Sequence, residues 1–111
     1  MEHETIIGID PGKSGAIAFI DGKNAEARKN DTTEHDIGDW LFSIQAMGRC
    51  FAYIERVSAM PGQGVSSTFK FGQSYGFLRG LLVGYGIPFE AVTPGVWQRS
   101  LGCLSKGNYG S

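Results

Sequence analysis

The sequence predicts an α/β domain in which helices flank a mixed β-sheet. Short apolar runs of strand length recur along the chain, glycine-containing turns separate the first three, and helical periodicity appears only afterwards. The order β-β-β-α-β-α-β predicts a three-strand antiparallel meander followed by parallel strands. With 111 residues, 41% of them hydrophobic, we expect one domain over 1–111 with a small core.

The meander is predicted from turn signals between apolar runs. Residues 5–10, "TIIGID", and 15–20, "GAIAFI", are predicted to pair as antiparallel strands, because the Pro-Gly-Lys-Ser-Gly link between them suits a tight connection. Asp21 and Gly22 form a second turn signal. Residues 24–29 are therefore predicted as a third, more polar strand at a sheet edge.

An amphipathic helix follows the meander. Thr32 or Thr33 can cap its N-terminus. The apolar residues that follow are spaced i, i+3, i+4, i+7, which places them on one helix face, and they are Ile37, Trp40, Leu41 and Ile44.

The second half alternates strands and helices. Residues 50–55, "CFAYIE", are predicted as a buried strand and 88–92, "PFEAV", as the last strand. Between them lie a loop over 56–64 and a helix from about 67 to 83. Another helix or turn is expected to start within 93–102.

Two of the predicted strands end in a carboxylate, Asp10 and Glu55. If the first and fourth strands are parallel neighbours, these anions emerge side by side, which is costly unless a cation or proton is shared. Carboxylate oxygens suit Mg²⁺ or Mn²⁺, and a pair of such ions can assist phosphodiester hydrolysis. The pattern is equally compatible with acids that cap turns or pair with Arg56 and Lys13.

The net charge of −1 hides an asymmetry. Residues 1–55 hold ten acidic and five basic residues, whereas 56–111 hold only Glu90 against five basic residues. The second half is therefore a candidate surface for a polyanion, although five charges over this length are also compatible with ordinary solvated side chains.

Four glycines recur every four residues, at Gly72, Gly76, Gly80 and Gly84. Each glycine inside a helix costs about 1 kcal/mol relative to alanine, so the repeat calls for a compensating contact. Four-residue spacing gives a smooth stripe on one helix face. We expect this stripe to pack against the sheet of the same chain; the partner helix of a dimer is the alternative.

Three segments resemble the RuvC-type Holliday-junction resolvases, especially their short phage and bacterial relatives in the RNase H-like superfamily. They are "IGIDPGKSGAIAF", "YIERVSAMPGQGVSSTFKFGQSYGFLRGLL" and "IPFEAVTPGVWQRSLG". The resemblance implies an RNase H-like fold and a homodimer that cuts branched DNA, such as a four-way junction, as a nuclease. It further implies that Asp10 and Glu55 are catalytic acids that bind Mg²⁺ or Mn²⁺.

The chain departs from that family near its C-terminus. The family carries one or two further acids on a C-terminal helix, whereas this chain ends in "LSKGNYGS" and has only Glu90 after Glu55. We therefore expect a domain truncated at the C-terminus, without that helix. Its incomplete acidic site is expected to cut junctions weakly or not at all.

Two other functions remain open. A non-catalytic DNA-binding or assembly module of the same fold would explain the missing acids. An actin-like or sugar-kinase ATPase shares the fold, and Lys13 and Ser14 would then lie near a phosphate, but such proteins need a second domain to close on the nucleotide.

Candidate DNA contacts cluster in turns and near the start of the second helix. Phe69 and Phe71 flank Lys70 and could stack on unpaired bases, and the resemblance implies that Phe69 is the better candidate. Core packing is the commoner fate of a phenylalanine, and we expect at least one of the two to be buried. A lysine in a turn is usually only solvated. The candidates are Lys13, Ser14, Gln63, Ser66, Phe69, Lys70, Arg79 and Lys106.

The remaining features point to a cytoplasmic protein without a membrane partner. No apolar run is long enough to cross a bilayer, and the polar start "MEHET" is unlike a signal peptide. Cys50 and Cys103 lack metal-type spacing and are expected to be reduced. His35 is expected to face solvent in a first helical turn.

Overall fold

The fold is a five-stranded mixed sheet with two helices, seen in a computed structural model that describes residues 4–22, 24–56 and 64–93. The residues outside these ranges include 57–63 in the predicted loop and 94–111 at the C-terminal end. The second segment includes most of the helix or turn expected within 93–102 and the end of the chain, where the family's acidic helix was expected to be absent. The elements are β1 Thr5–Asp10, β2 Ala16–Asp21, β3 Asn24–Lys29, α1 Glu34–Gln45, β4 Cys50–Glu55, α2 Val65–Gly84 and β5 Phe89–Val92.

The strand order is β3-β2-β1-β4-β5. β1, β2 and β3 pair antiparallel as a meander, and β4 and β5 add in parallel on the other side of β1. This arrangement confirms the predicted fold class and the predicted element order. It places the C-terminal ends of β1, β4 and β5 at one edge of the sheet, which is where ligands bind in open α/β sheets.

Most element boundaries agree with the predictions, and the differences have local causes. β2 begins at Ala16 rather than residue 15 because the backbone N–H of Gly15 donates to Gly12 O at 3.1 Å within the turn. β5 begins after Pro88, which has no N–H for the ladder. α2 begins at Val65, two residues earlier than predicted, with Gly64 as its N-cap.

Both helices pack on one face of the sheet. Alternate residues of the strands point into this core, and the helices contribute apolar residues at helical spacing. The largest fully buried side chains are Ile7, Ile9, Ile17, Leu41, Ile44, Ile54, Leu78 and Leu82. At about 1.5–3 kcal/mol per fully buried aliphatic side chain, this layer is the main source of stability.

Polar and aromatic contacts define the start of α1 and position it against the sheet and α2. The Thr33 hydroxyl accepts a hydrogen bond from the backbone N–H of Asp36 at 3.0 Å, so Thr33 is the N-cap. The Trp40 ring lies 5.7 Å from Phe19. The Tyr85 hydroxyl, just after α2, donates to Gly38 O at 3.1 Å and links the two helices.

The opposite sheet face is half-buried and carries the two strand-terminal acids. Ile9 and Ile54 are register partners with buried side chains. Since successive side chains alternate between faces, Asp10 and Glu55 point to the face away from the helices. No helix within the described ranges is long and apolar enough to span a membrane.

The expectation that the glycine stripe packs against the sheet is wrong. A Cβ added at Gly72, Gly76, Gly80 or Gly84 would meet nothing within 4 Å in the described structure. The sheet is instead contacted by the opposite side of α2, where Leu78 and Leu82 are buried. The glycines therefore lie on the outer side of α2.

Candidate metal and nucleic-acid site

Asp10 and Glu55 lie side by side at the C-terminal ends of adjoining parallel strands. β1 and β4 pair with Ile9 opposite Ile54, so the next residue of each strand is one of the acids. The apolar runs that precede the acids belong to the core, so core packing fixes the positions from which both carboxylates project.

The electrostatics of this pair favour a shared cation or proton. The pKa of Glu55 is raised above its ordinary value, first by partial burial, then by the negative charge of Asp10 and by the hydrogen bond to Asp10. Neither Arg56 nor Lys13, nor any other basic residue in the described ranges, forms an ion pair with either acid. Within the described ranges, no ion pair with a basic side chain compensates the repulsion between the carboxylates, and a bound metal ion would relieve it.

The donor set fits one hard divalent cation. Two carboxylates can supply oxygen ligands to Mg²⁺ or Mn²⁺, and Mg²⁺ usually keeps several waters. Over the described ranges, no group of three or more Asp, Glu, His or Cys side chains could hold a metal. Glu90 is exposed and pairs in register with Tyr53, whereas Glu55 pairs with Val92. It lies about 6–7 Å back along the sheet and is not a third ligand.

The loop after Asp10 is held by side chains from two other elements. Asn30, just after β3, donates its side-chain amide to Asp10 O at 2.9 Å and to Gly12 O at 3.1 Å. From α2, the Ser74 hydroxyl accepts a hydrogen bond from the backbone N–H of Gly12 at 2.9 Å. The loop therefore has a defined position relative to both the sheet and α2.

A cleft of about 640 Å³ opens beside this loop. Asp10 and the loop form one wall, and residues of α2, including Ser67, Lys70 and Gln73, form another. Lys13 and Lys70 are both exposed, so the cleft has cationic side chains both on the loop that follows Asp10 and on α2. Such a surface can contact phosphate groups through the lysines and hydroxyls.

The predicted DNA contacts fall into three groups. Lys13, Ser14 and Lys70 line the cleft. Ser66, Phe69 and Arg79 are exposed on α2 but do not line it. Gln63 and Lys106 lie outside the described residues.

The two phenylalanines differ in exposure. Phe69 is 66% exposed, so it is available for stacking, whereas Phe71 is half-buried and lines the cleft. His35 is exposed in the first turn of α1, as expected.

Sequence reasoning missed Asn30 and Ser74. Asn30 follows an exposed strand in "KND" and has the composition of an ordinary turn. Ser74 stands four residues after Lys70 on α2, on the face that meets the loop. Helical spacing from Lys70 is a signal that could have found Ser74, but nothing local in the sequence marks Asn30.

Comparisons with solved structures show a RuvC-like fold. RuvC of Thermus thermophilus in complex with a Holliday junction substrate superimposes with a TM-score of 0.61 at 16% identity, covering 83% of this chain and 66% of that one. A second structure of Thermus thermophilus RuvC matches with a TM-score of 0.50 at 17% identity, covering 81% of this chain and 64% of that one. The chain thus spans slightly less than two thirds of these RuvC chains.

The sequence by itself gives no such match. No protein-family model matches the chain, and no curated protein matches it. The RuvC-like, RNase H-like fold therefore rests on the three-dimensional structure and agrees with the resemblance seen in the sequence motifs.

Proposed function

We propose that this chain binds branched DNA and hydrolyses a phosphodiester bond in it, with Mg²⁺ or Mn²⁺ held by Asp10 and Glu55. The observation that carries the proposal is the adjacency of the two carboxyl groups at neighbouring strand ends, with the pKa of Glu55 raised by burial and by Asp10. Perturbed acids at the C-terminal edge of a sheet are typical of functional sites.

The protein groups have separate tasks. The two carboxylates would hold the cation in their ionised form, and the bonds from Asn30 hold the loop that begins at Asp10. When bound, a divalent cation would stabilise negative charge on a phosphoryl oxygen and lower the pKa of a bound water.

The cleft beside Asp10 supports nucleic acid as the substrate. Lys13 and Lys70 supply positive charge, and Ser14 and Ser67 supply hydroxyl groups, all on its walls. Phosphate contacts of this kind position a nucleic acid without reading its sequence. Branched DNA is the substrate class we propose because one of the similar RuvC structures is a complex with a Holliday junction substrate.

We further propose that the chain forms a homodimer through the outer side of α2. Val65, Phe69 and Val83 are 87%, 66% and 66% exposed. They share one helix face with three of the exposed glycines, Gly72, Gly76 and Gly80. A smooth stripe with large apolar residues near both ends suits close approach of a second α2 helix.

A non-catalytic DNA-binding module is the second candidate. It is favoured by the finding that the described residues bring together only two acidic side chains at the site. Two ions would need further ligands, since a two-metal site clamps both the attacking and the leaving oxygen.

Junction binding and cleavage distinguish the two candidates. We would measure affinity for a four-way junction and for duplex of equal length, and cleavage in Mg²⁺, Mn²⁺ and EDTA. The proposal expects junction-selective binding and slow cleavage that needs the metal. Asp10→Asn and Glu55→Gln should abolish cleavage, whereas Glu90→Gln, a nearby exposed acid, should not.

Each outcome has a definite meaning. Selective binding without any cleavage in either metal would overturn the nuclease proposal and support the binding module. Equal affinity for junction and duplex would overturn the proposed recognition of branched DNA. Cleavage that survives Asp10→Asn would locate the chemistry elsewhere.

A further inference from the structure

We infer that Asn30 is a positioning residue that sets the position of the Asp10 carboxylate for metal binding. The inference rests on the proposed function, because it concerns the metal site described above. The Asn30 side chain donates to backbone carbonyls of the loop, and it is not itself proposed as a metal ligand.

The first argument is burial. Asn30 is only 6% exposed and, with Thr5, is one of two polar side chains buried within the described ranges. A buried amide is costly unless it is hydrogen-bonded. Asn30 meets this requirement by donating to two backbone carbonyls, Asp10 O and Gly12 O.

The second argument is the position of these two carbonyls in the chain. One is the carbonyl of Asp10 itself, and the other lies two residues later in the same loop. Gly12 O also accepts from the N–H of Gly15 at 3.1 Å. Asn30 therefore bridges the end of β1 and the turn that follows, and it ties the backbone on the C-terminal side of the metal-binding carboxylate.

The loop is also too tight to reach this shape with other residues. A Cβ at Gly15 would lie 1.9 Å from Asp10 O, and Gly12 has a φ of 102°. The chain thus folds back closely over the Asp10 carbonyl. The backbone N–H of Asn30 donates to Gly15 O at 3.0 Å, so this one residue contacts the loop at three points.

Metal binding is sensitive to small displacements of the Asp10 carboxylate. Metal–ligand distances are defined to within about 0.2 Å, and loss of an outer residue that orients a ligand typically weakens metal affinity by about 10–100-fold. Without the Asn30 amide, the Asp10 and Gly12 carbonyls lose their bonds to the Asn30 side chain, and only the backbone bond from Asn30 to Gly15 O remains, while core packing keeps β1 in the sheet. The expected effect is therefore local to the site.

The test measures Mn²⁺ affinity by calorimetric titration of the folded 111-residue chain. Asn30→Ala removes both hydrogen bonds. Asn30→Asp keeps the shape but turns the donor into a charged acceptor that faces two carbonyls. Both should weaken Mn²⁺ binding at least tenfold. Ile44→Val, which removes one methyl group from the core on α1, is the control for a loss of stability and should leave the affinity unchanged.

A second measurement does not depend on the metal. Amide hydrogen exchange should accelerate at Gly15, whose N–H bond closes the turn, in both Asn30 variants. Exchange in β4, for example at Ala52, should stay as slow as in the unchanged chain. If Asn30→Ala does not fold, Asn30→Asp and the milder Asn30→Ser decide, with Ser expected to give an intermediate affinity because its hydroxyl can donate one bond.

The outcomes separate this inference from the function on which it rests. If the unchanged chain shows no saturable Mn²⁺ binding, the proposed metal site is wrong and the inference is wrong with it. If the unchanged chain binds Mn²⁺ and the Asn30 variants bind equally well, the inference alone is overturned. Lower stability with unchanged affinity would likewise overturn it, because Asn30 would then serve only the fold.

Discussion

Asp10 and Glu55 lie next to each other at the ends of adjoining parallel strands, and partial burial and then the negative charge of Asp10 raise the pKa of Glu55. Ile9 and Ile54, one residue earlier in each strand, are register partners whose side chains are fully buried. The apolar layer therefore holds two acids next to each other that would repel one another if both were ionised. A cost of this kind at a functional site is compensated by the stability of the surrounding core.

We predict that Glu55→Gln raises the free energy of unfolding at neutral pH in the absence of metal. Because the pKa of Glu55 is raised in the folded state, its stabilising effect is fully present below the ordinary value near 4.5 and is lost as pH rises through the folded value. Glutamine keeps the shape and removes the charge. Urea unfolding between pH 4 and 8 should show the difference growing with pH over this window.

The control for this effect is Glu90→Gln. Glu90 is an exposed acid on β5, next to β4, and its replacement should not reproduce the pH-dependent gain. A Glu55→Gln variant that is less stable than the unchanged chain at pH 7 would show that the charged pair is not a source of strain.

Divalent cations should make the unchanged chain more stable than Glu55→Gln, which is the reverse of the order expected without metal. A ligand that binds only the folded state stabilises it by about 2.7 kcal/mol at a concentration of 100 Kd. In Mn²⁺ or Mg²⁺ the unchanged chain should therefore gain stability, whereas Asp10→Asn and Glu55→Gln should gain little. Thermal unfolding at increasing metal concentration measures this, and an equal gain in all three proteins would speak against a site between these acids.

Much of the fold could be predicted from the sequence because its signals are local. Turn residues between apolar runs predicted the meander, and the spacing of Ile37, Trp40, Leu41 and Ile44 predicted α1. Turn signals on either side of an apolar run locate the ends of a strand to within one or two residues, both for alternating and for continuous apolar runs. The adjacency of Asp10 and Glu55 followed once β1 and β4 were taken as parallel neighbours.

Other features depended on contacts between distant segments. Asn30 reaches back 20 residues to the Asp10 carbonyl, and Ser74 reaches 62 residues to Gly12. No local pattern marks Asn30, and helical spacing from Lys70 marks the position of Ser74 but not its contact with Gly12. The glycine stripe was predicted as a stripe, but periodicity alone does not say which face of a helix meets the sheet. That was decided by Leu78 and Leu82 on the other side of α2.

The N-cap of α1 provides a second pH-dependent prediction. Hydrogen bonds from Thr32 and then Thr33 lower the pKa of Asp36 below its ordinary value. This contribution to stability is present above the ordinary value and is lost as pH falls through the folded value. Thr33→Ala should cost about 1 kcal/mol at pH 7 and less once the pH has fallen through the folded pKa of Asp36. Thr33→Ser, which keeps the hydroxyl, should restore most of the loss in urea unfolding.

The outer face of α2 should govern self-association. Gly76→Leu places a bulky side chain where a Cβ meets nothing within 4 Å, so it should not disturb the monomer but should weaken a dimer that depends on close helix contact. Sedimentation equilibrium measures the change. Ser43→Leu adds the same side chain to an exposed position of α1 and should leave the association unchanged. Association that is unaffected by Gly76→Leu would exclude this face as the interface.

The cleft beside Asp10 should make a larger contribution to DNA binding than the rest of α2. Lys13 and Lys70 line it, whereas Arg79 is exposed further along the helix. A lysine that contacts a phosphate releases counterions, so its loss lowers the slope of log affinity against log salt by about 0.9 for duplex DNA. Lys70→Ala and Lys13→Ala should each weaken binding to a four-way junction and reduce this slope by the amount expected for one phosphate contact.

Arg79→Ala, which removes the same charge outside the cleft, should change the slope less. Gel shifts at several salt concentrations give the slope for the unchanged chain and for the three variants. If Arg79→Ala reduces the slope as much as Lys70→Ala does, the DNA follows α2 along its length and the cleft is not the main contact.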